Sequence, residues 1–486
     1  MPRTGELLEL IKADTQALSL SPQMAERIEA LYAGIDWETL SKHGYDKTGD
    51  YCFIYSYPPV RTLEEIPSEP IFEPSEWERP GSAISMYLHI PYCTGICSYC
   101  YFAKVTDNSH APVDKDTYVD LMLWELEDKM QRYDREAEIK TIHFGGGTPS
   151  VLEKHQITKL LKYLHTLNLS PDVEITLECS PETICDDLEK LVHMRACGIN
   201  RINLGIESFD DRMLKLMGRR HTAEQTRRAY SNLREAGFDN VATDVIYAVP
   251  GETLASWADT VETVIDLQPE SISCYRLRTH PMKAISRFER DIARYEESLK
   301  MQLAHGLLFE DAGYVRVSSQ KYARVPEMIN RHTEQKRGVS DNQLMSAGCG
   351  AYGFLNATFY WNTKSLAQYG RQVRERQHPT WIGRKLDKED LMRKTFVLGF
   401  HTSAGINLEH FREHFGTEPL DLMGAEIAEA EQLGLLTVED SRVCPTELGY
   451  FFGDELSVRF YSPRVSTRLQ ELGMKYGMFW EQDRYA

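Results

Sequence analysis

Three cysteines, Cys93, Cys97 and Cys100, lie on one short segment directly after a strand-like run at Tyr87–Pro91. The spacing C-x3-C-x2-C places three thiolates on one loop, and three thiolates can bind three irons of a 4Fe–4S cluster. The fourth iron then has no protein ligand and can bind a small chelating molecule. The alternative is a structural zinc site, which normally needs four closed ligands. No further cysteine or histidine stands at zinc spacing, because His110 falls in a polar loop, so we expect a cluster.

A run of three glycines, Gly145-Gly-Gly-Thr-Pro149, comes directly after the predicted strand Ile139–Phe144. Glycine lets a backbone approach a ligand closely, and it exposes the N–H and C=O groups of the chain. Glycine-rich turns follow many strands, but this one comes shortly after the cysteine loop. We therefore expect it to hold the ligand of the open iron.

Charged residues mark the ends of later predicted strands: Glu178, Glu207 and Asp244, with Arg219 in the turn that follows Glu207. Asp244 stands inside an otherwise apolar strand, where a charge is costly unless it is paired or bound to something. One reading is a buried ion pair with Arg219 or Arg201. The other is that these groups bind the hydroxyl and amino-acid parts of a ligand.

Short β-branched runs alternate with amphipathic helical runs from residue 84 onward. The predicted strands are Ile84–Ile90, Ile139–Phe144, Val173–Glu178, Arg201–Gly205, Asn240–Ile246 and Ser271–Tyr275. The predicted helices between them are Asp116–Tyr133, Lys154–Leu167, Asp186–Cys197, Asp211–Met217, Thr222–Ala236 and Leu254–Leu267. Six β-α units in a row predict an α/β fold with a parallel sheet, and ligands bind such sheets at the carboxyl ends of the strands. The cysteine loop, the glycine run and the charged residues all fall at those ends.

The flanking regions are different. Helices are predicted at Gly5–Ala13 and Pro22–Ala33, before an irregular stretch at Pro58–Pro80. A glycine-rich aromatic run, Gly348–Trp361, can pack on a planar substrate or belong to the core. Near the end, helices at Asp387–Phe400, Leu408–Phe415 and Pro419–Leu433 precede a hairpin near Glu439–Arg442, an order that resembles a winged helix with a packing or lid role. The predicted domains are 1–80, 81–285, 286–380 and 381–486.

The formal net charge is −18, which argues against nucleic-acid binding because phosphate contacts need clustered lysine and arginine. No apolar run approaches the roughly 20 residues that span a bilayer, and the start has no leader-like pattern. The other seven cysteines are scattered, as small buried side chains are in a cytosolic protein. We expect a cytoplasmic monomer that does not contact membranes.

The cysteine loop and the glycine segment resemble those of radical S-adenosylmethionine (SAM) enzymes. From about residue 55 to about residue 460 the chain resembles the oxygen-independent coproporphyrinogen III oxidase family. The segments that carry this resemblance are Tyr55–Pro58, Tyr87–Cys93, Gly145–Pro149, Leu177–Pro181, Asn203–Phe209 and Asp244–Gly251. The resemblance implies a partial (β/α)6 radical SAM barrel with an N-terminal helical and irregular extension and a C-terminal helical, winged-helix-like domain.

The resemblance also implies a 4Fe–4S cluster on the three cysteines and two SAM molecules. Tyr87, Gly146 and Glu178 then contact the first SAM, while Tyr99 matches an aromatic position of the same pocket. The residues expected at the second SAM, or at the wall between the two, are Gly147, Thr148, Glu207, Arg219 and Asp244. Family members use a reductant such as flavodoxin or ferredoxin. Glu207, Tyr275 and Tyr57 are our candidates for acid, base or hydrogen-donor roles.

Two departures from the family pattern bear on the reaction. Phe102 stands where many coproporphyrinogen oxidases have a fourth cysteine, and Glu207 stands where they commonly have glutamine. Both favour the relatives that use the second SAM as a one-carbon source, so we expect methyl or methylene transfer to an sp2 carbon of a planar or unsaturated small molecule. Oxidative decarboxylation of a porphyrinogen is the alternative within the family. A haem chaperone is the alternative of another class.

Overall fold

The fold is described from a computed structural model of the chain. The structure describes residues 20–45, 56–77, 83–108, 110–278, 283–291, 295–325, 328, 330–332 and 343–474. The predicted helix Gly5–Ala13 and residue Tyr55 lie outside these residues. Within them, no helix is both long enough and apolar enough to cross a membrane.

The strands are numbered in chain order. They are β1 Glu64–Glu65, β2 Ile84–Ile90, β3 Tyr92–Cys93, β4 Val105–Thr106, β5 Ile139–Gly146, β6 Leu169–Cys179, β7 Arg201–Glu207, β8 Val241–Tyr247, β9 Ser271–Arg276, β10 Val315–Ser318, β11 Lys321–Ala323, β12 Gln343–Ala347, β13 Tyr352–Leu355, β14 Thr358–Asn362, β15 Thr380–Lys385, β16 Ile406–Asn407, β17 Leu436–Glu439 and β18 Arg442–Pro445.

The α-helices are numbered in the same way. They are α1 Pro22–Ala33, α2 Trp37–Lys42, α3 Glu69–Phe72, α4 Lys115–Tyr133, α5 Lys154–Leu164, α6 Leu188–Ala196, α7 Asp211–Met217, α8 Ala223–Glu235, α9 Leu254–Leu267, α10 Tyr295–Asp311, α11 Leu366–Arg374, α12 Lys388–Gly399, α13 Leu408–Phe415, α14 Pro419–Gln432, α15 Glu447–Phe451, α16 Gly453–Arg459 and α17 Pro463–Glu471.

Six parallel strands, β2 and β5 to β9, form the centre of the main sheet, as the β-α alternation predicts. Every residue of β2 is buried, and in β8 only Asp244 is less than fully buried. Strands covered on both faces need such apolar runs. The helices between them begin at polar caps, for example Thr222, whose side chain accepts a hydrogen bond from the backbone of Gln225.

The sheet continues on both sides of this parallel centre. The antiparallel strands β11 and β10 extend it beyond β9, while β12 pairs with β2 and is followed by antiparallel β13, β14, β15 and β1. Thirteen of the described strands thus form one sheet, which crosses the predicted boundary at residue 285. The domain limits themselves stay predictions.

A second hydrophobic core lies under the C-terminal helices. Phe396, Phe400, Phe411 and Phe460 are fully buried there and contact one another through their rings. A three-stranded sheet in the order β16, β18, β17 accompanies helices α12 to α14, which confirms the predicted helical, winged-helix-like domain. The fold is therefore a mixed α/β core around a central parallel sheet, with a helical C-terminal domain.

Candidate functional site

The cysteine loop is held from both sides by backbone hydrogen bonds. The Asp107 N–H donates to Cys93 O over 2.8 Å, and the Ser98 N–H donates to Met217 O at the end of α7 over 2.9 Å. Cys93 is buried, whereas Cys97 and Cys100 are partly exposed, and all three are free thiols that line one cavity of about 460 Å3. The loop is therefore positioned by β2, β4 and α7 together.

The three thiols fit a cluster with one open iron. No group of three or more metal-ligating side chains in the described ranges surrounds a single ion, and cysteines that bind different irons of one cluster need not converge on a point. Burial raises the pKa of the Cys93 thiol to about 11, so this sulfur becomes a thiolate at neutral pH only when a metal binds it. Arg219 Nη1 lies 3.7 Å from Cys97 Sγ and adds a positive charge beside the ligands.

The glycine run ends β5 and packs against the cysteine segment. The Gly147 N–H donates to Ile90 O and the Thr148 N–H to Tyr92 O, each over 2.8 Å. A Cβ on Gly147 would lie 2.7 Å from Tyr92 O, so no larger residue fits without a backbone shift. We expected these N–H groups to face a ligand, but they are used within the protein. The run therefore shapes the cavity mainly through its close packing.

Tyr87, His89, His143 and Glu178 form one wall of the cavity. The Tyr87 hydroxyl lies 3.0 Å from His89 Nδ1, while His89 Nε2 donates to Ala103 O over 2.8 Å and so ties β2 to the end of the cysteine loop. Burial lowers the pKa of His89 to about 4, which keeps the ring neutral. Burial alone would raise the pKa of Glu178, but the hydrogen bond from His143 Nε2 at 2.9 Å lowers it below its usual value.

Glu207 and Arg219 lie side by side at the end of β7. Arg219 Nη1 is 3.4 Å from Glu207 Oε1, and Arg219 Nη2 donates to Ser180 Oγ and Gly205 O over 2.9 Å. Burial raises the pKa of Glu207 to about 7 against the lowering effect of Arg219. Glu207 also has a φ of 65°, a left-handed conformation that non-glycine residues rarely adopt and that is enriched at functional sites.

Asp244 makes no ion pair with any residue that the structure describes. Arg201 instead donates to Asn240 and Ser271, while Arg219 pairs with Glu207, so neither arginine forms a direct ion pair with Asp244. Asp244 Oδ1 is buried without a hydrogen-bond partner, although Asn203 donates to Oδ2 over 3.3 Å. A buried acceptor without a donor indicates a missing partner, and a hydroxyl or ammonium group of a ligand would fit that place.

The predicted catalytic residues do not all come together. Tyr275 and Glu207 line the cavity, as do Tyr99 and the other predicted SAM residues Tyr87, Gly146, Gly147, Thr148, Glu178, Arg219 and Asp244. Tyr57 is not among the described residues that line it. Its hydroxyl is buried and donates to Asp390 Oδ1 over 2.9 Å, with Ser462 Oγ at 3.0 Å. The structure thus gives Tyr57 a role in joining the N-terminal segment to the C-terminal helices.

The aromatic run Gly348–Trp361 is partly core and partly lining. Phe354 and Phe359 are buried in the second core, whereas Tyr352 and Trp361 line the cavity. Phe102, half exposed at 47%, also lines the cavity and stacks on Tyr101 with ring centroids 4.9 Å apart. The cavity therefore presents aromatic faces close to the cysteine loop.

Sequence reasoning missed several basic residues of the cavity. Lys104, Lys283 and Lys364 line it together with Arg276 and Arg278. Arg278 pairs with Asp454 of α16 at 3.2 Å, which links the cavity to the C-terminal domain. Lys104 stands four residues after Cys100, but the others come from distant segments, and no local pattern marks them.

Comparison with known proteins supports this geometry. A model of the radical SAM superfamily matches residues 87–264, and a model of the HemN C-terminal domain matches residues 386–452. Oxygen-independent coproporphyrinogen III oxidase from Escherichia coli (strain K12) is 27% identical over 436 residues, which cover 85% of this chain and 93% of that protein. Heme chaperone HemW from Bacillus subtilis (strain 168) is 27% identical, covering 76% of this chain and 97% of that protein.

Two further matches bear on family and fold. Heme chaperone HemW from Haemophilus influenzae is 30% identical over 283 residues, which cover 56% of this chain and 70% of that protein. The solved structure of coproporphyrinogen III oxidase (HemN) from Escherichia coli has a TM-score of 0.75 at 24% identity, covering 88% of this chain and 99% of that one. The chain belongs to the radical SAM family that contains the HemN coproporphyrinogen III oxidases and the HemW haem chaperones.

Proposed function

We propose that this protein uses radical SAM chemistry to oxidise a propionate-bearing tetrapyrrole of the porphyrinogen type. The observation that carries the proposal is one cavity of about 460 Å3 that joins the three cysteines, the buried Asp244 carboxylate and the aromatic faces of Tyr352 and Trp361. The substrate class is supported by the relatives named coproporphyrinogen III oxidases. Their names give no support to the methyl transfer that we expected.

The cluster and two SAM molecules are part of this proposal. Cys93, Cys97 and Cys100 would hold the 4Fe–4S cluster, which in its reduced form would supply, together with bound SAM, the reductive cleavage of SAM to methionine and a 5′-deoxyadenosyl radical. We assign Tyr87, Gly146 and Glu178, which line the cavity, to the first SAM, with Tyr99 beside it. Glu178 carries a negative charge into a buried wall, which suits a cationic ligand.

The second SAM is assigned to the part of the cavity around Asp244. Glu207 and Asp244 supply carboxyl groups there, Arg219 supplies donors, and Gly147 and Thr148 keep the backbone close. Converting one propionate to a vinyl group transfers one hydrogen atom to the 5′-deoxyadenosyl radical and releases CO2, and the one electron left over goes to an external one-electron acceptor. Glu207 and Tyr275 line the cavity, and we assign them to proton or hydrogen transfer.

One-carbon transfer remains a second candidate because of Glu207 and Phe102. Phe102 provides no fourth thiol beside the cluster, and Glu207 brings a carboxyl group against Arg219, 3.4 Å away. A carboxyl group near a sulfonium methyl group suits removal of a proton during carbon transfer.

A single experiment separates these functions. The cluster-loaded, reduced protein is incubated without oxygen with coproporphyrinogen III and SAM labelled in its methyl group. We expect 5′-deoxyadenosine, CO2 and an unlabelled vinyl product, and a variant with Cys93, Cys97 and Cys100 changed to alanine is the inactive control. Label in the product with S-adenosylhomocysteine would instead support one-carbon transfer.

If the protein is a haem carrier, the same experiment should give another result. The relatives named haem chaperones support this alternative. Tight haem binding without any 5′-deoxyadenosine under the same conditions would replace the proposed enzyme with a carrier. The reductant partner, the cytoplasmic location and the monomeric state stay predictions.

A further inference from the structure

Three lysines line the cavity although the chain carries a net charge of −18. They are Lys104, Lys283 and Lys364, referred to below as the lysine trio. Lys104 Nζ donates to Cys100 O over 2.9 Å and to Phe102 O over 3.0 Å, which fixes it beside the cysteine loop. Throughout the described part of the chain, no carboxylate forms an ion pair with any of the three.

Lys364 is fixed by an aromatic ring. Its Nζ lies 4.2 Å from the centroid of the Trp361 ring, at a distance typical of a cation–π contact. The Trp361 indole N–H donates to Gly350 O over 2.7 Å, so the ring itself is held in place. The Lys364 ammonium group therefore lies against the Trp361 ring, and both residues line the cavity.

The three amino groups are close enough to repel one another. Burial, together with the charges of Lys283 and Lys104, lowers the pKa of Lys364 to about 8, and burial with Lys104 lowers the pKa of Lys283. Like charges that no carboxylate of the described residues neutralises destabilise the folded chain. An anion that enters the cavity would remove this repulsion, and the structure thus favours an anionic ligand here.

We propose that the lysine trio is a carboxylate-binding subsite that holds an acidic side chain of the substrate beside the cysteine loop. Lysine suits this role because its ammonium group is a compact point charge with three donors. The carboxylate could come from the substrate or from the amino-acid part of SAM, and we assign it to the substrate because Trp361 next to it offers a face for a planar ring. The identity of the substrate rests on the proposed function, but the subsite does not.

The test uses a stable probe instead of turnover. Coproporphyrin III, an aromatic ring with four carboxylates, is titrated into the cluster-loaded protein with SAM, and a tetracationic porphyrin of similar size is titrated in parallel. Lys364→Met and Lys283→Met are compared with Lys364→Arg, which keeps the charge. Lys388→Met is the matched control, because Lys388 lies 5.1 Å from the Trp77 ring centroid away from the cavity.

We expect each methionine variant in the trio to weaken coproporphyrin III binding about tenfold or more, the size of one charge-assisted hydrogen bond. In the same methionine variants, binding of the tetracationic porphyrin and of SAM should change less than about twofold, because neither loses a charge-assisted hydrogen bond. Lys364→Arg should keep most of the coproporphyrin III affinity that Lys364→Met loses. The salt dependence of coproporphyrin III binding should fall in the same variants.

Two results would overturn the subsite. One is unchanged coproporphyrin III binding in both methionine variants with normal iron content. The other is a weakened SAM affinity, which would assign the lysines to the SAM carboxylate. Failure of the proposed function looks different, because the protein would then bind coproporphyrin III through the trio and yet release no CO2 from coproporphyrinogen III.

Discussion

The most stringent test of the folded core concerns Glu125, a fully buried carboxylate of α4. It accepts hydrogen bonds from Lys129 Nζ and Asn362 Nδ2 over 2.7 Å, and from the Tyr369 hydroxyl and the Gly348 N–H over 2.8 Å. Burial alone would lower the pKa of Lys129, but Glu125 raises it above its usual value. The carboxylate thus fixes a buried cation and the start of the aromatic run together.

Glu125→Gln keeps the shape of this side chain and removes its charge. Lys129 then remains buried beside a neutral amide, with Ser346 O at 2.8 Å as its remaining acceptor. Leaving one charge of a buried pair uncompensated costs about 3–5 kcal/mol. We expect that loss in the free energy of unfolding, measured by urea denaturation of the apo protein.

The double variant Glu125→Gln with Lys129→Met separates charge from hydrogen bonding. Removing both charges should recover at least about 2 kcal/mol of the single variant's loss, because no unpaired ion is left. A single variant that costs less than about 1 kcal/mol, the net contribution of an ordinary hydrogen bond, would refute the reasoning. So would a double variant that is as unstable as the single one.

Three further predictions concern the site and its surroundings. Asp244→Asn should reduce the SAM stoichiometry of the cluster-loaded protein from two to one in calorimetric titration, and an unchanged stoichiometry would argue against a second SAM at this carboxylate. Gly147→Ala should cost about 1–3 kcal/mol by thermal denaturation because its Cβ meets Tyr92 O at 2.7 Å. Gly424→Ala should not destabilise, because its Cβ would lie 3.7 Å from Leu420 Cβ, an ordinary contact. Burial lowers the pKa of His305 well below its usual value, so the unfolded chain binds the extra proton and stability should fall by about 1.4 kcal/mol per pH unit below about 6.5. Between pH 7.5 and 5, the urea midpoint of His305→Gln should fall less than that of the unchanged protein. An unaltered slope would point to other groups.

The parallel centre of the fold was predictable because its signals are local. The bounds of α7 and α9 agree with the predicted Asp211–Met217 and Leu254–Leu267, since a polar cap and an apolar period define each helix within its own sequence. The strand β6 begins at Leu169, earlier than the predicted Val173. Its first residues include Pro171, which sequence rules place outside strands.

The site residues that lie close together in the sequence were predictable, whereas those that come from distant segments and meet only in the folded chain were not. The cysteine loop and Gly145–Pro149 carry their spacing in the sequence. The lysine trio comes from three segments that only the sheet and its extension bring together. Tyr57 shows the converse, because a polar motif suggested chemistry while its hydroxyl is satisfied by Asp390 and Ser462, residues far along the chain.

The distribution of charge in the cavity bears on the choice between the candidate reactions. Carboxyl groups from Glu178 and Asp244 face a cavity whose other part, beside the cysteine loop, holds the lysine trio. SAM carries positive charges on its sulfonium and ammonium groups, which suit the carboxyl groups, and the lysine trio is assigned above to a carboxylate of the substrate. On that assignment, one-carbon transfer to a neutral unsaturated molecule leaves the lysine trio without a substrate anion. SAM and a substrate with several carboxylates together account for both parts of the cavity, and for that reason we give the lysines more weight than Phe102 or Glu207 in proposing porphyrinogen oxidation.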